Sequence, residues 1–236
     1  LKSEFAEAYN NLGVLLEQLN KLEDSQISIE QAIKLNPKDP EAHNNLGATL
    51  EALGKLPDAE VSYRQAIALK PDYAEAYFNL AVTLQKMGKL EKAETNYRKT
   101  ISLKSEFAEA YNNLGVLLEQ LNKLEDSQIS IEQAIKLKPK DARYHNNLGV
   151  TLQKMGIYEK ALICFNHAIR IKPDYAEAYN NKGYNLENLG RLNEAESNLR
   201  HAIALKPNYA DAFFNLASTS KSIQDARNLM DKCLNI

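Results

Sequence analysis

An eight-residue segment recurs along the chain at a constant interval and constrains the fold more than any other feature. It first appears at residues 6–13 as AEAYNNLG, and related segments start at residues 40, 74, 108, 142, 176 and 210, each 34 residues after the last. A fixed period of this length is typical of solenoids built from helix–turn–helix units. Since the units of a solenoid contact mainly their neighbours, we expect function to reside in a surface that several units build together.

The period also predicts the boundaries of the repeats. We assign full repeats to residues 6–39, 40–73, 74–107, 108–141, 142–175 and 176–209, a shortened seventh repeat to 210–236, and the tail of a truncated repeat to 1–5. Residues 1–35 and 103–137 are identical, which indicates a block of three repeats copied by duplication or by engineering. The chain opens at Leu1 inside a repeat, so we expect it to be a fragment that lacks its natural N-terminus.

Capping and helix-breaking residues predict two helices in each repeat. In the second repeat, Asp39 provides an N-cap before the first helix, Gly54 ends that helix, and Pro71 ends the second. Asn20 and Asn122 occupy the place of this glycine in repeats one and four. Asparagine tolerates the left-handed backbone conformation better than other side chains, so we expect the same turn there.

These residues resemble the tetratricopeptide repeat family. Position 4 of the repeats is aromatic or histidine, as in Tyr9 and His43, position 8 is glycine or alanine, as in Gly13 and Ala81, and position 32 is usually proline, as in Pro37. The resemblance covers essentially the whole chain. It implies an all-α, right-handed superhelical solenoid whose first helices line the concave side.

Asparagine occupies position 6 of every repeat. The seven residues are Asn11, Asn45, Asn79, Asn113, Asn147, Asn181 and Asn215. In the superhelical arms of O-linked N-acetylglucosamine transferases, to which this pattern is similar, position 6 faces the groove. A side-chain amide has one acceptor and two donors, which match a peptide bond. We therefore predict a ladder of amides that binds an extended peptide, with hydrogen bonds between neighbouring repeats as the alternative.

Three aromatic residues are further candidates for the same surface. Phe78 and Phe214 stand at position 5 and Tyr184 at position 9, where the resemblance implies a concave location. Exposed aromatic side chains often anchor a partner. Position 2 is mostly acidic and position 12 adds Glu17, Glu51, Glu119 and Glu187, so we expect neutral or basic partners.

Composition argues against several other classes of protein. The formal net charge is −2, which favours neither nucleic acid nor an anionic membrane, and no apolar run is long enough to span a bilayer. Two cysteines suit a reducing compartment such as the cytoplasm. We find no motif for catalysis or cofactor binding, and neighbouring helices would hold His167 and His201 too far apart to share a metal ion.

The sequence thus favours a non-catalytic scaffold that binds an extended protein or peptide segment along the amide ladder. One alternative is the substrate-recruiting arm of a larger enzyme, such as a glycosyltransferase, with its catalytic domain outside this fragment. The other is head-to-tail self-association, because the two ends of a solenoid resemble its internal interfaces.

Overall fold

A computed structural model describes residues 2–219 of the chain, with side chains from Glu4 onward. Thirteen helices follow one another in this part: α1 (Lys2–Gln18), α2 (Leu22–Leu35), α3 (Pro40–Ala52), α4 (Leu56–Leu69), α5 (Ala74–Lys86), α6 (Leu90–Leu103), α7 (Ala108–Gln120), α8 (Leu124–Leu137), α9 (Ala142–Lys154), α10 (Tyr158–Ile171), α11 (Ala176–Asn188), α12 (Leu192–Leu205) and α13 (Ala210–Thr219). Each of the six full repeats has two helices, as predicted, although α1 begins at Lys2, ahead of residue 6. The second helix expected in the seventh repeat, from near residue 225, lies outside the described residues.

The helices form two compact units, of which the structure describes residues 2–117 and 118–219. In the first unit, α1 packs on α2, α3 on α4 and α5 on α6; in the second, α9 packs on α10 and α11 on α12. First helices of successive repeats also contact each other, as α1 does α3 and α9 does α11. Each unit therefore presents a face made of first helices, on which the position-6 asparagines lie.

Glycine at position 8 lets the two helices of a repeat approach closely. A Cβ atom added at Gly47 would lie 2.6 Å from the Cε1 atom of Tyr63, and one at Gly149 would lie 2.6 Å from Cε1 of Phe165. Both rings are buried and fill the space that the glycines leave. The small residue noted in the sequence at position 8 thus corresponds to direct helix–helix contact.

Local signals in the sequence set the helix ends as expected. The Asp39 carboxylate accepts a hydrogen bond of 2.9 Å from the backbone N–H of Glu41, which confirms the predicted N-cap. Asn20 and Asn122 have φ angles of 56° and 57°, close to the 75° of Gly54. Asparagine therefore makes the same left-handed turn as glycine in repeats one and four, as predicted.

The sequence LKSEF occurs at residues 1–5 and again at residues 103–107. At residues 103–107 it ends α6 at Leu103, and the Phe107 ring then stacks on Phe78 with ring centroids 4.8 Å apart. Residues 2–5 are helical and continue into α1. Phe5 is 59% exposed, whereas Phe107 is partly buried.

We expect Asn122→Ala to lower the free energy of unfolding by about 1 kcal/mol, because alanine disfavours the left-handed conformation. Asn122→Gly is the matched control and should leave stability unchanged or raise it, since glycine adopts this conformation without a steric penalty. Urea denaturation followed by circular dichroism measures both variants. Equal stability of the alanine and glycine variants would contradict this account of the turn.

Candidate functional site

Two asparagines stand side by side on most first helices, and they differ in burial. Position 5 holds Asn10, Asn44, Asn112, Asn146 and Asn180, which are buried. The position-6 asparagines that follow them are partly buried, except Asn11, which is exposed. The buried amides at position 5 were not predicted from the sequence, where only the position-6 asparagines were singled out.

Hydrogen bonds join the two kinds of asparagine across the repeats. The Nδ2 atom at position 6 donates to the Oδ1 atom at position 5 of the preceding repeat. The bonds are Asn45 to Asn10 (3.1 Å), Asn79 to Asn44 (3.1 Å), Asn181 to Asn146 (3.0 Å) and Asn215 to Asn180 (2.9 Å). Because these amides connect neighbouring repeats, the structural alternative stated above holds for at least one of their donors.

Two of the position-6 amides, those of Asn45 and Asn79, keep an oxygen without a partner within the described part of the chain. Asn45 and Asn79 each use one N–H in the bond to the preceding repeat, and their Oδ1 atoms accept nothing from residues 4–219. The Oδ1 atom of Asn181 does accept a bond from Asn180, but a long one of 3.5 Å. Asn45 and Asn79 are therefore held by the preceding repeat, while part of each amide is unpaired within residues 4–219.

Phe78 interrupts the series in the first unit. Because position 5 of the third repeat is phenylalanine, it offers no amide oxygen to which Asn113 could donate. The Oδ1 atom of Asn113 accepts a hydrogen bond of 3.2 Å from the Nδ2 atom of Asn112. The Phe78 ring packs against Phe107 at 4.8 Å and Tyr97 at 5.9 Å between centroids and is partly buried. We expected Phe78 to be an exposed anchor; its packing makes it mainly part of an aromatic cluster.

A cavity of about 460 Å³ lies on the first-helix face of the first unit. It is lined by Glu17, Ala48, Glu51, Ala52, Tyr63, Phe78, Asn79, Val82, Lys86, Glu109 and Asn113. Two of the predicted amides and Phe78 thus share one cavity. Its floor combines small apolar side chains with amides and charged groups.

Several of the position-12 carboxylates, which we expected to attract a neutral or basic partner, already have partners within the protein. Glu51 forms an ion pair of 2.8 Å with Lys86 of the next repeat and accepts a hydrogen bond from Thr83. Glu119 pairs in the same way with Lys154 at 2.6 Å. Glu17 accepts a bond of 3.2 Å from Thr49 and has no cationic partner in residues 4–219. The expected acidic lining is therefore partly neutralised by lysines that follow at position 13.

A second cavity, of about 310 Å³, lies on the first-helix face of the second unit. It is lined by Asn180, Asn181, Tyr184, Tyr209, Asp211, Phe214 and Asn215. Tyr184 and Phe214 are 44% and 56% exposed, so the structure brings both predicted aromatic residues together with two predicted amides. The sequence analysis missed Tyr209, although an aromatic residue recurs at position 34; burial raises the pKa of its hydroxyl to about 12.

The remaining position-6 amide of the second unit, Asn147, is partly buried.

The histidines of the second unit form ring contacts. His145 stacks on His167 with ring centroids 5.6 Å apart, and His201 contacts Tyr179. Within the described residues, no group of three or more histidine, cysteine or acidic side chains is arranged to hold a metal ion. Nor does that part contain a helix long and apolar enough to cross a membrane.

The architecture and the paired amides define a helical-repeat protein with a repeated polar face. Models of the tetratricopeptide repeat match residues 6–39, 74–107, 108–141, 142–175 and 176–209, and further models of the same repeat match 29–61 and 50–88. The chain belongs to the tetratricopeptide repeat family. No curated protein sequence matches the chain.

Several solved structures share the fold. The pilF protein of Pseudomonas aeruginosa superposes with a TM-score of 0.78 at 19% identity, covering 89% of this chain and 96% of that one. A tetratricopeptide repeat protein from Parabacteroides merdae gives 0.77 at 18% identity, covering 98% and 100%. YrrB, described as a tetratricopeptide protein with an unusual peptide-binding site, gives 0.65 at 22% identity, covering 78% and 95%.

Tetratricopeptide repeats are protein-interaction modules and are generally non-catalytic. The chain is accordingly a protein-interaction scaffold of the all-α helical-repeat class, as predicted.

The amide bonds between repeats predict a measurable difference between two asparagines. Asn79→Ala should lower the free energy of unfolding by about 1–2 kcal/mol, because it leaves the buried Asn44 oxygen without its donor. Asn11→Ala is the control: this residue is exposed in the first repeat, and its loss should change stability by less than about 0.5 kcal/mol. Urea denaturation of both variants checks the prediction, and equal effects would refute a structural share for Asn79.

Proposed function

We propose that the first-helix face binds an extended peptide segment of a partner protein through the peptide's backbone. The observation that supports this most is the half-used amide: Asn45 and Asn79 give one N–H to the preceding repeat, and each keeps an acceptor and a second donor. A peptide bond needs one acceptor and one donor. The unused oxygen and the second N–H of such an amide match the N–H and C=O of a peptide bond.

The bond between repeats also prepares the amide for binding. An asparagine on a helix surface normally loses rotamer freedom when it binds a ligand, and that loss weakens affinity. Here the bond of 3.1 Å to Asn44 already fixes the Asn79 side chain. The structural and the peptide-binding roles of the ladder are therefore compatible, and the first supports the second.

The cavity of the first unit suggests which side chains the peptide carries. Ala48, Ala52 and Val82 offer room for small or aliphatic groups. Glu17 and Glu109 line the same cavity without a cationic partner in residues 4–219, whereas Glu51 is neutralised by Lys86. We infer a neutral or moderately basic segment. The peptide-binding site named for YrrB, a protein of the same fold, is consistent with this use.

An N-methyl scan of a bound peptide tests backbone recognition. Peptides selected from a random display library serve as probes, and isothermal titration calorimetry measures each derivative. We expect methylation of the backbone nitrogens that face the ladder to weaken binding by about tenfold, since an unmade hydrogen bond costs roughly 1–3 kcal/mol. Alanine substitution of most peptide side chains should have smaller effects. Tolerance of N-methylation throughout the peptide would contradict the proposal.

Two arginine variants locate the binding face. Val82→Arg places a long cation in the cavity of the first unit and should abolish binding there. Val61→Arg is the matched control, because Val61 is 67% exposed on the second helix α4 and lines none of the described cavities. Equal losses in the two variants, at equal stability, would place the peptide elsewhere.

Head-to-tail self-association is a second candidate, favoured by one comparison within the duplicated block. Leu12 and Leu15 are 45% and 51% exposed on α1, whereas their copies Leu114 and Leu117 are 3% and 0% exposed. The same residues thus form a buried contact elsewhere in the chain, and a second copy would cover them on α1. Multi-angle light scattering should show mass rising with concentration, and Leu15→Glu should abolish the rise; a monomer at all concentrations would exclude this candidate.

A further inference from the structure

A cationic cavity of about 710 Å³ lies at the junction of the fourth and fifth repeats, within the second unit. It is lined by Lys138, Pro139, Lys140, Asp141, Ala142, Arg143, Ile171 and Lys172. Four cationic side chains and one carboxylate therefore surround a partly apolar space. None of these residues lines the two cavities described above, so this is a separate surface.

The cavity occupies a place where other repeats form an ion pair. Position 2 is normally acidic, and position 31 is lysine in every full repeat except the first. In the third repeat Glu75 binds Lys104 at 2.7 Å, and in the sixth Glu177 lies 3.7 Å from Lys206. In the fifth repeat, position 2 is Arg143 and position 31 is Lys172. The carboxylate that neutralises the lysine elsewhere has been replaced by a second cation.

The duplicated block provides an internal comparison for this change. The two copies are identical through Leu35 and Leu137, and the junctions then diverge in charge. Asn36 becomes Lys138, and Glu41 becomes Arg143. The two copies therefore begin to differ at residues that line the cavity, and the changes to Lys138 and Arg143 both make the cavity more positive.

One acidic group, Asp141, lies among the cations of the cavity. Asp141 binds the Arg143 guanidinium at 2.8 Å, which lowers the pKa of that carboxyl. The Lys172 ammonium lies 5.0 Å from the centre of the Tyr175 ring and has no carboxylate partner within residues 4–219. The Glu177 carboxylate helps to raise the pKa of Tyr175, but it forms its ion pair with Lys206, at 3.7 Å.

We propose that this cavity binds an acidic peptide segment, with a carboxylate near Lys172 and Arg143 where other repeats have glutamate. Pro139, Ala142 and Ile171 would receive a neighbouring aliphatic side chain of the same segment. A carboxylate between two cations forms charge-assisted hydrogen bonds, which are stronger than neutral ones. The surface is independent of the amide ladder and selects the opposite charge.

Nuclear magnetic resonance titration tests the proposal with a defined probe, the acetylated and amidated tetrapeptide Leu-Glu-Leu-Glu. We expect backbone shifts centred on residues 138–143 and 171–172. The matched Leu-Gln-Leu-Gln peptide should bind about tenfold more weakly, as expected for the loss of charged pairs near a protein surface. Inorganic phosphate is a third probe, and affinity equal to that of the acidic peptide would reduce the site to a simple anion site and overturn the proposal.

Two variants sharpen the test. Arg143→Glu recreates the ion pair of the third and sixth repeats, so it should fold normally and weaken the acidic peptide by about tenfold. Glu177→Arg removes the partner of Lys206 and should create new shifts around residue 206. Unchanged affinity in Arg143→Glu, or in a second loss variant, Lys172→Gln, would refute the proposal, as would equal shifts at residues 36–41.

Discussion

The amide hydrogen bond between adjacent repeats is the interaction on which the rest of the binding face depends. A buried amide oxygen such as that of Asn44 is costly to leave unpaired, and within residues 4–219 the Nδ2 atom of Asn79 supplies its donor. That requirement fixes the register of one first helix against the next. It also fixes the Asn79 side chain, which under the proposed function is the group that a peptide would meet.

Close packing inside each repeat makes this arrangement possible. Gly47 leaves room for the ring of Tyr63, and the first helix of the repeat therefore lies tightly on the second. The same plan recurs at Gly149 and Phe165 in the second unit. Because this packing uses positions 8 and 24, it leaves positions on the exposed edges of the helices open to change. The reversal of charge at Arg143 shows how one repeat acquires a distinct surface without a change of fold.

The paired helices and the left-handed turns at Asn20 and Asn122 could be predicted from the sequence, because period and local capping determine them. Contacts between residues 35 apart could not. Periodicity identifies the face on which a side chain lies but not its partner, so the role of Asn44 and the pairing of Lys86 with Glu51 were missed. The partial burial of Phe78 was missed for the same reason, since it depends on Phe107 nearly a full repeat away.

A crystal structure of the protein with a selected peptide bound tests the central claim most directly. The account predicts that a backbone N–H of the peptide donates to Asn79 Oδ1 at about 2.9 Å, a normal hydrogen-bond length. It also predicts that Asn79 Nδ2 keeps its bond to Asn44, which is 3.1 Å without the peptide. A peptide held only through its side chains, or an Asn79 amide that turns away from Asn44 to bind it, would contradict the account.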